Sequence, residues 1–200
     1  MPLIALWKSN PIAFAELTIE QVVKNAGNGA LLDGSVCSEE LRDYLAQIPS
    51  EKLAVYVNQC LSSTFDKAGM VLQDLINELG RRLDYQVING RYQGTSKAIG
   101  YDGIWSSPAP EKSTIIAEVK TTDAYRISLN AIAHYRQELL TNGSVTGEPS
   151  ILILVGREDT GELEAQIRGS RHAWDIRLIS TEALIKLVRP ALLTCDIRSM

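Results

Sequence analysis

The chain has 200 residues, of which 45% are hydrophobic and 22% are charged, and its formal net charge is −4 at pH 7. This composition is typical of one globular domain, because a disordered chain would have fewer apolar residues and more net charge. The apolar runs are far shorter than the ~20 residues that cross a bilayer, so no membrane span is expected. The amino terminus has no export signal, and we expect a cytoplasmic protein.

The negative charge is unevenly distributed along the chain. Residues 1–80 hold 5 Lys and Arg against 10 Asp and Glu, whereas residues 81–200 hold 15 against 14. The second part therefore has a net charge of +1, and the acidic balance of the whole chain does not exclude DNA as a partner. The three cysteines, Cys37, Cys60 and Cys195, lack zinc-ligand spacing, and we expect reduced, buried thiols.

Residues 1–62 have the pattern of short helices, which we interpret as a small segment for packing, dimerisation or recognition. Helical spacing predicts one helix over 18–25, a second with Ser38 as its N-cap, and a third after Pro49. The last two resemble a helix-turn-helix. However, the final helix carries only Lys52 as a cation, which favours packing or dimerisation over entry into a DNA groove.

Residues 63–200 alternate between strand and helix patterns, which predicts an α/β domain with a mixed sheet. A glycine, Gly80, is expected to end the first helix of this part. Trp174 is expected in the core. In chain order the predicted elements are a helix over 64–79, strands over 84–88, 98–105 and 113–121, a helix over 127–140, a strand over 150–155, a helix over 161–168, a strand over 174–179 and a helix over 180–188.

Strand periodicity places three ionisable side chains together. Glu118 and Lys120 share one face of their strand because alternate residues point the same way. Asp102 lies in the preceding strand, and Gly103 is expected to leave space around it. If the two strands are neighbours, Asp102 converges on Glu118 and Lys120.

Two converging carboxylates repel each other unless a cation lies between them, and their oxygen atoms suit Mg²⁺. The pattern therefore indicates a phosphoryl-transfer site. In such a site Lys120 would orient a metal-activated water or offset the charge that develops on phosphorus.

The segments Gly100-Tyr-Asp-Gly-Ile-Trp105 and Ile115-Ile-Ala-Glu-Val-Lys120 resemble the PD-(D/E)xK nuclease superfamily, which has the restriction-endonuclease-like fold. The resemblance covers residues 64–180. It implies a DNA endonuclease that uses Mg²⁺, with Mn²⁺ as a substitute, and that often acts as a homodimer.

The resemblance also implies roles for individual residues. Asp102, Glu118 and the Val119 carbonyl would hold the metal, Lys120 would lie at the attacking water, and Glu78 from the preceding helix would lie near a second metal. Two departures are visible in the sequence. Tyr101 replaces the family's nominal proline, and the helix after the Lys120 strand lacks the Gln-xxx-Tyr element of the exonuclease branch, which favours an endonuclease.

Other interpretations of these residues remain open at this point. Glu118 and Lys120 could be an exposed pair on an edge strand, Asp102 a turn residue and Glu78 a solvated helix residue. The chain could then be a non-catalytic nucleic-acid-binding or assembly module. A DNA repair or junction-resolving nuclease is a further alternative.

Several basic residues of the second part could contact a phosphate backbone. Arg126, Arg136 and Arg171 are the candidates for substrate binding, because the first two follow the Lys120 strand and the third lies in a turn between a helix and a strand. The remaining cations in this group are Arg91, Lys97, Arg168 and Arg177.

Overall fold

The computed structural model describes residues 2–93, 100–108, 113–121, 127–156 and 159–188. Its helices surround a five-stranded sheet. The amino-terminal helices are α1 (Leu3–Ser9), α2 (Pro11–Glu16), α3 (Ile19–Asn25), α4 (Val36–Gln47) and α5 (Ser50–Ser62). The remaining elements are α6 (Ala68–Arg82), β1 (Gln86–Asn89), β2 (Gly103–Ser106), β3 (Thr114–Lys120), α7 (Leu129–Thr141), β4 (Ser150–Val155), α8 (Gly161–Arg168), β5 (Ile176–Ser180) and a helix over residues 181–188.

The strands lie in the order β1-β2-β3-β4-β5. The first three pair antiparallel, and β3, β4 and β5 pair parallel. The predicted α/β class and mixed sheet are therefore confirmed. β3 is the central strand: its residues 114–117 pair with β2 on one side and its residues 115–120 pair with β4 on the other.

Two hydrophobic cores cover the two faces of this sheet. One contains Trp105, Ala117 and Leu154 together with buried residues of α1 to α6. The other contains Ile116 and Ile153 together with buried residues of α7 and α8. Residues from both sides of the predicted boundary at residue 62 contribute to the first core, so the amino-terminal helices pack directly on α6.

Local contacts explain where the helix ends differ from the predictions. Ser35, rather than Ser38, caps α4 and accepts a hydrogen bond from the Ser38 N–H at 3.2 Å. Gly80 does not end α6, which continues to Arg82. Glycine is required at position 80 because a Cβ there would lie 2.7 Å from the Trp105 ring.

Other predictions about single residues have mixed outcomes. Cys37 and Cys60 are buried free thiols, as expected, while Cys195 lies outside the described residues. The expectation that Trp174 is in the core is wrong, since it is 87% exposed in the turn before β5. In the described part of the chain, no helix has the length and apolar character needed to cross a membrane.

Candidate active site

The antiparallel pairing of β2 and β3 brings Asp102 and Glu118 together. Gly103 lies opposite Ala117, and the Asp102 N–H donates to the Ala117 carbonyl at 3.1 Å. Asp102 itself lies one residue before β2 and not within the strand, which corrects the prediction, and the charge of Glu118 acts on its carboxyl group. Glu118 alternates with Ile116, so it lies on the face of the sheet that α7 and α8 cover. The predicted pairing of the two strands is confirmed.

Lys120 joins this pair from the end of β3. Its ammonium nitrogen lies 2.5 Å from Glu118 Oε1, and the exposed fractions of the two side chains are 36% and 10%. The interpretation of Glu118 and Lys120 as an exposed pair on an edge strand is therefore wrong, because β3 is central and Glu118 is buried.

The Asp102 carboxylate is held by the backbone of β3. Its Oδ2 accepts a hydrogen bond from the Val119 N–H at 2.6 Å. Burial and the neighbouring Glu118 charge raise the pKa of Asp102 to about 7, although Val119 and Lys120 act in the opposite direction. The site therefore contains a carboxyl group whose negative charge is not fully compensated by the protein.

Lys120 stays protonated in this environment. Burial alone would lower the pKa of its ammonium group, but the adjacent Glu118 and Asp102 carboxylates outweigh burial and raise that pKa. A lysine in this state donates hydrogen bonds and positive charge, and it does not act as a general base.

The main chain of Asp102 is held by two side chains of α6 and by the residue that follows β1. Its carbonyl accepts hydrogen bonds from the Gly90 N–H at 2.9 Å, from Gln73 at 3.0 Å and from Asn77 at 2.8 Å. The expectation that Gly103 leaves space around the acid is wrong, because a Cβ at Gly103 would lie 2.1 Å from Asn77 Oδ1. The absence of a side chain there admits the Asn77 amide.

Glu78 is not brought to this cluster. Its carboxylate pairs with Arg82 at 3.2 Å and with Arg81 at 3.6 Å. Arg82 in turn donates to the Ser50 hydroxyl and to the carbonyls of Leu45, in α4, and Ile48, just after it. Glu78 therefore faces the amino-terminal helices, one residue and about 100° around the helix from Asn77.

The donor set at Asp102 and Glu118 fits a small set of oxygen ligands for Mg²⁺. The two carboxylates lie side by side, and the Val119 carbonyl lies on the same edge of β3 as the N–H that binds Asp102. Mg²⁺ keeps several waters and uses one or two protein carboxylates together with substrate phosphate. The described residues contain no group of three or more His, Cys, Asp or Glu side chains suited to a metal ion.

The predicted phosphate-binding arginines lie apart from this cluster or outside the described residues. Arg126 belongs to the latter. Arg136 donates to the Pro149 carbonyl at 2.6 Å and lies 3.6 Å from Asp175, which fixes α7 to the segments that precede β4 and β5. Arg171 contacts Asn130 and its neighbour His172. Neither contact set includes the carboxylate pair.

Sequence reasoning missed or undervalued several residues near the pair. Gln73 and Asn77 are buried amides, and their spacing of four residues on α6 is the only sequence signal for them. Arg91 has an exposed side chain, and its carbonyl lies 3.5 Å from the Gln73 amide nitrogen that also binds Asp102. The Tyr135 hydroxyl lies 3.9 Å from where a Cβ on Gly100 would be.

Comparison of the chain with known protein-family models and with curated protein sequences finds no match.

Proposed function

We propose that this chain is a Mg²⁺-dependent DNA endonuclease that hydrolyses phosphodiester bonds. The observation that supports the proposal most strongly is the proximity of Asp102 to Glu118, whose charge acts on the Asp102 carboxyl group, with Lys120 2.5 Å from Glu118. One buried acid, one half-buried acid and one protonated lysine, grouped where β3 extends past the start of β2, match the residue types and order of the PD-(D/E)xK superfamily. A restriction-endonuclease-like arrangement of the sheet is part of the same proposal.

Asp102 and Glu118, with the Val119 carbonyl, would hold the metal ion. A Mg²⁺ ion held by these groups would polarise the scissile phosphate and lower the pKa of a bound water. Burial and the neighbouring Glu118 charge raise the pKa of Asp102 to about 7, and Lys120 offsets this only in part. We therefore expect the two carboxylates to bind a divalent ion, because the protein's own cations do not fully compensate their negative charge.

Lys120 contributes charge and hydrogen bonds to the reaction. During hydrolysis a water oxygen bonds to phosphorus while the bond to the leaving oxygen breaks, and negative charge grows on the phosphoryl oxygens. The Lys120 ammonium, which its carboxylate neighbours keep protonated, offsets that charge and can orient the water. Of the two roles expected for Lys120, its raised pKa favours charge compensation.

The substrate would approach past the exposed side chain of Arg91. Arg91 follows Gly90, whose N–H binds the Asp102 carbonyl. We propose Arg91 as a phosphate contact. Cleavage of both strands would use two copies of the chain, as in a homodimer.

The proposal is tested by incubating purified protein with supercoiled plasmid in Mg²⁺ or Mn²⁺ and then repeating the reaction with EDTA. We expect nicking that requires the divalent ion. Lys120→Met and Glu118→Gln should each reduce the rate by about 10²–10³-fold, since each removes a charge from the reacting centre. Lys24→Met is the matched control, because Lys24 pairs with Glu20 at 2.7 Å on the exposed surface of α3, and it should cleave normally.

Two results would contradict the proposal. One is full activity in folded Lys120→Met protein. The other is the absence of cleavage of DNA and RNA substrates by the wild-type chain. Retained binding of nucleic acid or of a protein partner in the second case would support the non-catalytic binding or assembly module instead.

A further inference from the structure

Two buried amide side chains of α6 converge on the main chain of Asp102. Gln73 is 3% exposed and Asn77 is 1% exposed, and both belong to the same face of the helix because they are four residues apart. Their amide nitrogens lie 3.0 Å and 2.8 Å from the Asp102 carbonyl oxygen. With the Gly90 N–H at 2.9 Å, this single oxygen accepts three hydrogen bonds.

The orientation of the Asn77 amide is fixed on both sides. Trp105 Nε1 donates to Asn77 Oδ1 at 2.9 Å, so the amide nitrogen of Asn77 must point to Asp102. The lack of a Cβ at Gly103 admits this side chain between the helix and the strand. An alternative rotamer of the amide would place two donors against each other.

These hydrogen bonds oppose a movement of Asp102 that the neighbouring Glu118 charge favours. The Asp102 carboxylate lies next to Glu118, and repulsion between the two charges favours rotation of Asp102 away from the pair. At the Asp102 carboxylate, the restraint among the described residues is a hydrogen bond from the Val119 N–H at 2.6 Å. The backbone of Asp102 is outside the regular strand, which begins at Gly103, so the hydrogen bonds of α6 replace the support of a strand.

We propose that Gln73 and Asn77 are positioning residues that hold Asp102 against repulsion from Glu118 and thereby set the divalent-cation affinity of the pair. This inference depends on the proposed function for its cation-affinity part. The positioning part concerns the protein without metal and is measurable separately.

The test uses Gln73→Met and Asn77→Leu in the full chain. Each variant keeps a side chain of similar size and removes the donor to Asp102. Gln59→Met is the matched control, because Gln59 is also a glutamine that bonds to the main chain, at the Ile19 N–H at 2.8 Å, away from the carboxylate pair.

Two quantities are measured for every variant. The first is the hydrogen-exchange rate of the Val119 amide in EDTA, because that N–H is bound to Asp102 Oδ2 and reports whether the carboxylate stays in place. The second is Mn²⁺ affinity by calorimetry without DNA. In Gln73→Met we expect the Val119 amide to exchange about tenfold faster, relative to the β4 amides, and Mn²⁺ to bind about tenfold more weakly. Both changes should be larger in Asn77→Leu. Neither should occur in Gln59→Met.

The outcomes separate the two proposals. Unchanged Val119 exchange in both variants overturns the positioning inference, as does exchange that rises equally at all amides, which would show a purely structural role. Faster Val119 exchange with unchanged Mn²⁺ affinity also overturns it. A wild-type chain that does not bind Mn²⁺ overturns the proposed function and the affinity part, and Val119 exchange then decides the positioning part alone.

Discussion

Asp74 is a buried aspartate and Asp102 is a half-buried one, and the protein surrounds them differently. The Asp74 side chain is completely buried, and its Oδ1 accepts a hydrogen bond from Arg42 at 2.9 Å. Its other oxygen accepts the Tyr92 hydroxyl. Asp102 instead has a backbone N–H on one oxygen and a second acid, Glu118, beside it.

Burial raises the pKa of both carboxyl groups, and the neighbours then act in opposite directions. At Asp74 the Arg42 guanidinium and the Tyr92 hydroxyl oppose the rise in pKa. At Asp102 the Glu118 carboxylate adds to it. Asp74 therefore belongs to an ion pair that the chain completes by itself, whereas Asp102 shares the Lys120 ammonium with a second carboxylate, Glu118.

The pair at Asp74 also has a structural task. Arg42 is on α4, Asp74 is on α6 and Tyr92 is in the connection after β1, and the Tyr92 N–H binds Asp33 at 2.9 Å. The Arg42 guanidinium lies 5.1 Å from the centre of the Tyr92 ring. These contacts attach the amino-terminal helices to the connection that leads toward Asp102.

The largest expected difference comes from the same substitution at the two aspartates. Asp74→Asn should destabilise the fold by about 2 kcal/mol, because it weakens charge-assisted hydrogen bonds and leaves Arg42 without an anion. For a chain of this length that corresponds to a fall in Tm of about 4–8 °C, measured by thermal denaturation. Cleavage per folded molecule should be unchanged.

Asp43→Asn is the control for this prediction, since Asp43 is exposed on α4, and its Tm should stay within about 1 °C of the wild-type value. An unchanged Tm in Asp74→Asn would show that Arg42 and Tyr92 do not depend on the Asp74 charge, and the contrast between the two aspartates would lose its basis.

Asp102→Asn should have the opposite, smaller effect when metal is removed. In the folded protein the pKa of Asp102 is about 7, above its ordinary value of 3.8. At a pH between these two values the folded state therefore keeps a proton that the unfolded state has lost. Wild-type stability in EDTA therefore falls as pH rises from about 4 to about 7. Asparagine cannot ionise, so the Asp102→Asn variant avoids that loss. At pH 8 its free energy of unfolding should be higher by about 1 kcal/mol, which raises Tm by about 2–4 °C.

The pH dependence and the metal dependence distinguish this prediction from general stabilisation. The advantage of Asp102→Asn should be absent near pH 4 and level off above pH 7. Added Mn²⁺ should raise the Tm of the wild-type chain more than that of the variant. A lower Tm for Asp102→Asn at pH 8 in EDTA would contradict the view that this carboxylate lacks compensation.

The sequence predicted the elements that carry the pair better than the contacts that hold it. The bounds of β4 and α8 agree with the predicted 150–155 and 161–168, because an apolar run and a turn-flanked amphipathic segment mark their ends. Alternation in β3 correctly placed Glu118 and Lys120 on one face. These are local properties of the chain.

The misplaced features depend on partners that are distant in sequence. Gln73 and Asn77 look like ordinary polar residues of a surface helix until β2 packs against them. Gly80 looks like a helix end until Trp105 occupies the space beside it. Ser35 and Ser38 are an exception, because both suit an N-cap by residue type and a local hydrogen bond from the Ser38 N–H to the Ser35 hydroxyl marks Ser35 as the cap.

The smallest expected effect concerns a further acid, Glu78. The resemblance to the nuclease superfamily implies a place near a second metal, whereas the structure pairs Glu78 with Arg82. Arg82 keeps three further acceptors, the Ser50 hydroxyl and the Leu45 and Ile48 carbonyls, and a glutamine at position 78 can still accept from it. Glu78→Gln should therefore destabilise the fold by only about 0.5–1 kcal/mol.

The same variant should leave Mn²⁺ affinity and the Mg²⁺ dependence of cleavage unchanged, as measured by calorimetry and by plasmid nicking across a range of metal concentrations. Glu118→Gln, the same substitution at the carboxylate beside Asp102, should weaken Mn²⁺ binding by tenfold or more, about 1.4 kcal/mol. An equal loss of Mn²⁺ affinity in Glu78→Gln would assign Glu78 to the metal site. In that case Glu78 would have to leave Arg82 when metal binds. Asp74 would then differ from both Glu78 and Asp102, because its charge partner would have a structural role alone.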